Sequence, residues 1–480
     1  MTTNFWPMFP EMFVSLAACA VLVLDLYVRE QQKGNLAYIA SIVTLVLALI
    51  FTLAGFSHER NIIMNGLFVD DTLSDLIKTG IYLITIGVFV YSRDYARERD
   101  LFRGEYYVLG LFGVVGMMVM ASSNHFLTLY LGLELLSLCL YAMVAFQRDS
   151  SLATEAAMKY FVLGALASGI LLYGFSIIYG MTGSLDIQTV HAAIAGISPD
   201  NIALIFGLVF VIVGLTFKLG AVPFHMWIPD VYHGAPTSST VYLGAAPKLA
   251  AFALVIRLLV GGFEDLYGAW RDMLIIIAIL SVAIGNVVAI AQTNIKRMLA
   301  YSTISHMGFF LLGILAGNES GYGGALFYIL VYAVMSLGAF GMIILLSRSG
   351  FEAEELDDFR GLNQRSSWYA FLMLLLMFSM AGVPPTVGFY AKLAVIQAVV
   401  GADLVWVAVV AVLFAVVGAY YYLRVVKLMY FDDATDQSAF RASGDMRVML
   451  SINALAVLLI MPWVGPLLDI CRSAVTGLAG

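Results

Sequence analysis

Long apolar segments recur along the whole of this 480-residue sequence. A helix that crosses a bilayer needs about 20 predominantly apolar residues, and the sequence contains about fourteen such segments. It is 61% hydrophobic and 12% charged, whereas soluble proteins contain about 25% charged residues. These features predict an all-α polytopic membrane protein with about fourteen transmembrane helices. The predicted spans lie near residues 9–28, 36–57, 73–92, 105–121, 124–146, 155–180, 201–226, 238–260, 271–291, 297–317, 322–347, 368–400, 404–430 and 447–470.

The basic residues are distributed unevenly between the two sides of the predicted membrane domain. Sixteen lysines and arginines follow odd-numbered spans, whereas only Arg60 and Arg271 follow even-numbered spans. Basic loops are retained in the cytoplasm. The asymmetry therefore predicts that the basic loops are cytoplasmic and that both termini lie outside.

Two of the predicted spans are interrupted by proline. Residues 214–248 contain four of the eleven prolines, and residues 368–400 contain the pair Pro384-Pro385. Proline removes a backbone donor and breaks a helix, and a free carbonyl at membrane depth requires protein or water around it. We therefore expect spans 7 and 12 to be broken. Because five spans separate them, the two enter the membrane from opposite sides, which is typical of inverted repeats.

The breaks divide the chain into four predicted segments. These are an N-terminal three-helix segment at 1–104, a first repeat of spans 4–8 at 105–260, a second repeat of spans 9–13 at 261–430, and helix 14 at 431–480. The repeat is inferred from the positions of the breaks, since the two halves show no clear residue-by-residue similarity.

Six protonatable residues lie at predicted membrane depth, where a charge costs on the order of 3 kcal/mol. They are Glu134, Lys159, Lys218, Lys248, His306 and Lys392. Such residues mark ion pathways, and histidine exchanges protons at physiological pH. The series predicts a proton path through water and side chains.

Several of these residues also have a purely structural interpretation. Lys159 either pairs with Glu134 or snorkels beside Glu155, one turn away. Lys218 can snorkel next to a kink, and Glu134 and His306 can be neutral hydrogen-bonded packing residues. Two other cations, Lys78 and Arg257, lie near the ends of spans, and we expect both to snorkel.

Three segments resemble a known family. The run FKLGAVPFHMWIPDVYHGAPTSSTVYLGAAPK at 217–248 resembles the antiporter-like subunits of respiratory complex I and of multisubunit cation/proton antiporters, and QTNIKRMLAYSTISHMG resembles a signature of the same superfamily. The forms PDVYHGAPT and AGVPPTVGFYAK, with a lysine in the second, resemble the subunit N group of bacterial NADH–quinone oxidoreductases.

The resemblance implies a proton-translocating subunit driven by quinone reduction elsewhere in a hetero-oligomeric complex. It places Glu134 and Lys159 in an input pair, Lys218 and Lys248 on a central axis, and Lys392 on the exit side. It implies that NADH, FMN, Fe–S clusters and quinone are bound by other subunits and no cofactor by this one. The implied partners are other membrane-arm subunits and the lipid bilayer of a bacterial inner membrane.

The remaining features exclude some functions and leave two alternatives. Cys19, Cys139 and Cys471 are far apart and form no CxxC pair, and no nucleotide, haem or nucleic-acid motif is present. One alternative is a component of a multisubunit Na⁺ or K⁺/proton antiporter, because the central motifs would look much the same. The other is a non-transporting scaffold subunit.

Overall fold

The structure, a computed structural model, describes residues 5–27, 34–56, 59–434 and 443–476. Apart from one short antiparallel hairpin, β1 (Asn61–Ile63) with β2 (Phe68–Asp70), its regular elements are helical. The α-helices are α1 (Phe9–Tyr27), α2 (Asn35–Ala54), α3 (Thr72–Glu98), α4 (Gly104–Ala121), α5 (Phe126–Val144), α6 (Ser151–Thr182), α7 (Ile187–Ile194), α8 (Ile202–Leu219), α9 (Trp227–Gly234), α10 (Thr237–Gly244), α11 (Ala246–Leu259), α12 (Tyr267–Ile290), α13 (Ile295–Leu315), α14 (Glu319–Leu346), α15 (Leu362–Arg365), α16 (Ser367–Ala381), α17 (Val387–Gly401), α18 (Val405–Phe431), α19 (Gly444–Leu459) and α20 (Val464–Thr476).

Within the described ranges, twelve spans are long and apolar enough to cross a membrane when α10 and α11 are counted together, or thirteen if the bent pair α19 and α20 counts as a further span. The all-α polytopic membrane class is thereby confirmed. The count of fourteen remains a prediction, because α16 and α17 are only 15 residues each, shorter than one crossing. The inverted relation of the repeats and the four-segment division also remain predictions. Arg29, Lys33 and Arg441, three of the sixteen loop cations, lie outside the described residues.

The helices differ in how deeply they are buried. The most apolar stretches of α10–α11, α13 and α14 are 100%, 94% and 89% buried, whereas that of α18 is only 33% buried. Helices α13 and α14 therefore form the centre of the molecule, together with α10 and α11, while α18 presents one face to its surroundings. Lys248 and His306 lie on these central helices, and Lys218 and Lys392 lie on helices α8 and α17, which pack against them.

Two interruptions were not predicted. Helices α10 and α11 are separated at Ala245, and α19 and α20 are bent by 49° relative to each other. A proline near each point, Pro247 and Pro462, is the sequence signal that could have revealed them. The first of these breaks places Lys248 in the first turn of α11 rather than in the middle of a continuous span.

Candidate functional site

The break in span 7 begins with a left-handed glycine. Gly220 has a φ of 78°, and its N–H donates to the carbonyls of Thr216 and Phe217. A Cβ at this position would lie 1.8 Å from Cδ1 of Ile228. Glycine is thus required twice, for the backbone conformation and for the close approach of α9. The predicted break is confirmed at this position.

The break in span 12 has the same backbone hydrogen bonds. Gly382 has a φ of 84°, and its N–H donates to the carbonyls of Phe378 and Ser379. The next amide, of Val383, also donates to Phe378, just as the amide after Gly220 donates to Thr216. Both breaks therefore use the same helix C-cap, which confirms that span 12 is interrupted.

Lys218 lies one residue before the end of α8 and points toward α5. Its Nζ donates to Oγ of Ser137 at 2.8 Å, and Glu134, one turn earlier on α5, interacts with it electrostatically. The Glu134 carboxylate accepts a hydrogen bond from Ser168 on α6. Glu134 and Ser137, one turn apart on α5, therefore both face Lys218.

Lys248 is 2% exposed and binds the open end of α8. Its Nζ donates to the carbonyl of Leu219 at 3.0 Å and lies 5.6 Å from the centre of the Trp227 ring. The C-terminal carbonyls of a helix lack intrahelical partners and carry partial negative charge. The amine thus satisfies a carbonyl that the break has left free.

A cavity of about 30 Å³ joins the two lysines. Its lining includes Ser137, Tyr160, Lys218, Trp227 and Lys248. A water molecule needs about 10–15 Å³ of such space and at least two polar partners. The cavity therefore has room for about two waters.

Lys392 donates hydrogen bonds to the free end of the helix at the second break, as Lys248 does at the first. Its Nζ donates to the carbonyls of Met380 and Ala381, at 2.9 and 3.0 Å, in the last turn of α16. The amine also lies 5.1 Å from the centre of the Phe309 ring. At each break, the free carbonyls at the end of the helix thus accept hydrogen bonds from a lysine amine.

His306 lies between two tyrosine hydroxyls in the centre of the molecule. Its Nδ1 is 2.7 Å from the hydroxyl of Tyr328 and its Nε2 is 3.1 Å from that of Tyr422, which also contacts Ser302. A neutral imidazole donates through one nitrogen and accepts through the other. The arrangement is a continuous hydroxyl–imidazole–hydroxyl chain through α13, and it is compatible with both the proton-carrying and the packing interpretation.

Comparison with known proteins identifies the family. The family model described as "NADH:quinone oxidoreductase/Mrp antiporter, TM" matches residues 123–418. A relative from Thioalkalivibrio sulfidiphilus, named NADH-quinone oxidoreductase subunit N, is 62% identical over 474 residues, covering 98% of each chain. The chain belongs to the NADH-quinone oxidoreductase subunit N family.

Solved structures support the same fold for this subunit N family member. A chain of respiratory complex I from Thermus thermophilus is 29% identical, with a TM-score of 0.83 over 96% of this chain and 99% of that chain. A chain of the Mrp complex from Dietzia sp. has a TM-score of 0.87, covering 100% of this chain and 98% of that chain at 20% identity, and shares the fold alone.

Lys159 of this subunit N family member does not pair with Glu134. Its Nζ binds Asp230 at 2.8 Å and Glu155 at 2.9 Å, so the predicted pair with Glu134 is wrong and the alternative contact with Glu155 is present. The residue of α6 that reaches Glu134 is Ser168, nine residues further on, or about 14 Å along the helix axis at 1.5 Å per residue. The two groups therefore lie at different depths.

The prediction that Lys78 and Arg257 snorkel is wrong. Lys78 is 1% exposed and binds Glu11 of α1 at 2.7 Å. Arg257 is buried and donates to both carboxylate oxygens of Asp71, at 2.6 and 2.8 Å. Both cations face the protein interior because an acid from a distant segment lies there, and buried charges require such partners.

The pKa values of two neighbouring acids, Asp70 and Asp71, are shifted in opposite directions. Burial raises the pKa of Asp70, in the β-hairpin, to about 6. Burial also opposes ionisation of Asp71, but the charge and hydrogen bonds of Arg257 outweigh it and lower the pKa of Asp71. The buried arginine thus keeps Asp71 charged, while its neighbour titrates near neutral pH.

A second set of charged residues surrounds α9 and was not predicted. Asp230 binds Arg297 as well as Lys159, and Lys296, assigned to a loop, is 4% exposed and binds Glu354 at 3.2 Å. The acidic residue in PDVYHGAPT was the available signal, but its partners lie on other helices.

Proposed function

We propose that this chain is a proton-translocating membrane-arm subunit of an NADH–quinone oxidoreductase, coupled to quinone reduction elsewhere in the complex. The observation that carries the proposal is the cavity shared by Lys218 and Lys248 at the first break. Two amines that share space for water can exchange a proton through it, because each is a donor when charged and an acceptor when neutral.

In the proposed path, Glu134 stabilises the charge on Lys218, and the proton passes through the cavity to Lys248. The hydroxyl–imidazole chain at His306 then carries the proton across the central helices toward Lys392. Lys392 releases the proton on the outer side. Lys159 supports the entry side through Asp230 rather than through Glu134.

The setting of the subunit is part of the proposal. The basic loops face the bacterial cytoplasm, both termini face the periplasm, and the chain is embedded in the inner membrane beside other membrane-arm subunits. NADH, FMN, Fe–S clusters and quinone are bound by those other subunits. The high identity to subunit N relatives over nearly the full length supports this setting.

The decisive experiment replaces Lys218 with methionine in the assembled complex. We expect NADH-driven proton pumping in inverted vesicles to fall at least about tenfold, since a positioned proton carrier contributes more than that to transfer. The matched control is Lys427→Met, which removes a lysine that is 69% exposed and leaves pumping unchanged. Unchanged pumping in Lys218→Met, with the variant present in the complex, would refute the proposed role.

The two alternatives give different results. A Na⁺ or K⁺/proton antiporter component would show transport that depends on the added cation in membranes that carry this chain without an NADH-oxidising complex. A scaffold subunit would allow full proton stoichiometry after Lys218, Lys248 and Lys392 had all been replaced.

A further inference from the structure

Helix α9, the short segment after the first break, is held by opposite charges from two directions. Oδ2 of Asp230 binds Nζ of Lys159 on α6 at 2.8 Å, and Oδ1 binds Nη1 of Arg297 on α13 at 2.8 Å. Helix α6 belongs to the predicted first repeat and α13 to the second. A single carboxylate therefore links α9 to both halves of the molecule.

The same helix covers the lysine cavity. Trp227, the first residue of α9, stacks on Tyr160 with ring centres 4.6 Å apart, and its Nε1 donates to the carbonyl of Phe217. Both rings line the cavity. Tyr160 directly follows Lys159 on α6. The aromatic stack and the Asp230–Lys159 ion pair thus join the same two helices, α6 and α9.

The charges around Asp230 are partly accessible to solvent, unlike Lys248 in the cavity. The side chains of Lys159, Asp230 and Arg297 are 43%, 35% and 29% exposed, whereas Lys248 is fully enclosed. Exposed ion pairs are weak because water screens them. Each ion pair therefore contributes little enough free energy to be made and broken reversibly.

We propose that Asp230 is a positioning residue that latches α9 over the lysine cavity, with Trp227 and Tyr160 as the gate. While Asp230 binds Lys159 and Arg297, the gate separates Lys218 and Lys248 from water on the cytoplasmic side. When the ion pairs break, α9 moves and the cavity opens to that side. The direction of opening rests on the proposed function and its orientation, whereas the latch itself does not.

The test measures access to the cavity rather than pumping. Ala251 lines the cavity one turn after Lys248, so Ala251→Cys is a reporter for it. Inverted vesicles carrying the complex are treated with 2-sulfonatoethyl methanethiosulfonate, a membrane-impermeant thiol reagent, and modification of residue 251 is followed by peptide mass spectrometry. Peptide-specific detection separates this thiol from the three natural cysteines.

We expect slow modification with Asp230 present and modification about tenfold faster in Asp230→Asn, which corresponds to about 1.4 kcal/mol of lost latching. Asp230→Glu keeps the carboxylate and should retain the slow rate. The matched control is Asp272→Asn, which removes an exposed aspartate–arginine contact with Arg271 and should not change the rate.

An unchanged rate in Asp230→Asn, with the reagent added to either face, would overturn the latch. Acceleration seen only when the reagent is added to the periplasmic face of right-side-out vesicles would overturn the cytoplasmic direction of opening. If Asp230→Asn fails to assemble, Lys159→Gln and Arg297→Gln each remove one contact, and the proposal fails if neither accelerates modification. Loss of pumping in Lys218→Met tests the proposed function separately, because it does not depend on access to residue 251.

Discussion

The amine of Lys248 lies 3.0 Å from the carbonyl oxygen of Leu219, the last residue of α8. A buried lysine commonly pairs with a carboxylate, yet here the partner is a neutral carbonyl that the broken helix leaves free. Lys392 does the same at the end of α16. Because a carbonyl binds an amine less strongly than a carboxylate binds an ammonium group, this contact holds the lysine in place and leaves it free to exchange a proton.

Replacing Lys248 with glutamine separates these two roles. The glutamine amide can still donate to a carbonyl but carries no transferable proton, so we expect proton pumping to fall at least about tenfold while the complex keeps its thermal stability. Lys248→Ala should lose both, since a buried unsatisfied carbonyl costs about 1–3 kcal/mol. Pumping by Lys248→Gln at the normal rate would rule out proton transfer through this amine.

Gly220→Ala tests the conformation of the first break. The left-handed backbone costs a residue with a Cβ about 1–2 kcal/mol, and displacing Ile228 adds about 1–3 kcal/mol. Gly183→Ala is the matched control, because Gly183 also has a positive φ, of 72°, but nothing lies within 4 Å of its added Cβ. Thermal unfolding of the purified complex should show the larger loss in Gly220→Ala, and equal losses would contradict the close approach of α9.

Arg257→Met should destabilise the protein strongly, by about 3–5 kcal/mol, because it leaves the buried Asp71 carboxylate unpaired. Adding Asp71→Asn removes that charge and keeps an acceptor for the helix cap at Ser74, so the double variant should recover much of the loss. The exposed arginine variant Arg271→Met should change stability by less than about 1 kcal/mol. Thermal unfolding midpoints measure all three, and additive losses in the double variant would argue against the pair.

Asp70 should make stability depend on pH near neutrality. Its pKa in the folded protein is about 6, raised from 3.8 by burial, so between these values the folded state binds a proton that the unfolded state has released. Unfolding free energy therefore falls as the pH rises toward 6. After allowance for solvent screening, Asp70→Asn should be more stable than the natural protein above pH 6 by about 1 kcal/mol.

Unfolding midpoints between pH 4.5 and 7.5 measure the effect of Asp70. The difference between the natural protein and Asp70→Asn should grow as the pH rises and level off above about pH 7. The control Asp272→Asn alters an aspartate that is 67% exposed and should follow the natural protein. A difference that is constant across the range would contradict the raised pKa.

The membrane class and the two broken spans were predictable because they depend on short-range patterns. Apolar runs of bilayer length, and a glycine three residues before a proline in both LGAVP and AGVPP, act on the backbone locally. The positions of Lys218 and Lys392 beside those breaks followed from the same patterns. The interruption at Ala245 left a weaker local signal, since Pro247 is also acceptable in the first turn of an ordinary helix.

The sequence by itself thus determined which segments are long and apolar enough to span a membrane and where spans 7 and 12 break, because hydrophobic length and proline chemistry are properties of adjacent residues. Only the tertiary structure decided the partner of each charge. Lys159 binds Asp230, 71 positions away, rather than Glu134, and Arg257 binds Asp71 across 186 positions. Helical periodicity tells which side chains share a face of one helix, but the pairing of two faces depends on how separate helices pack.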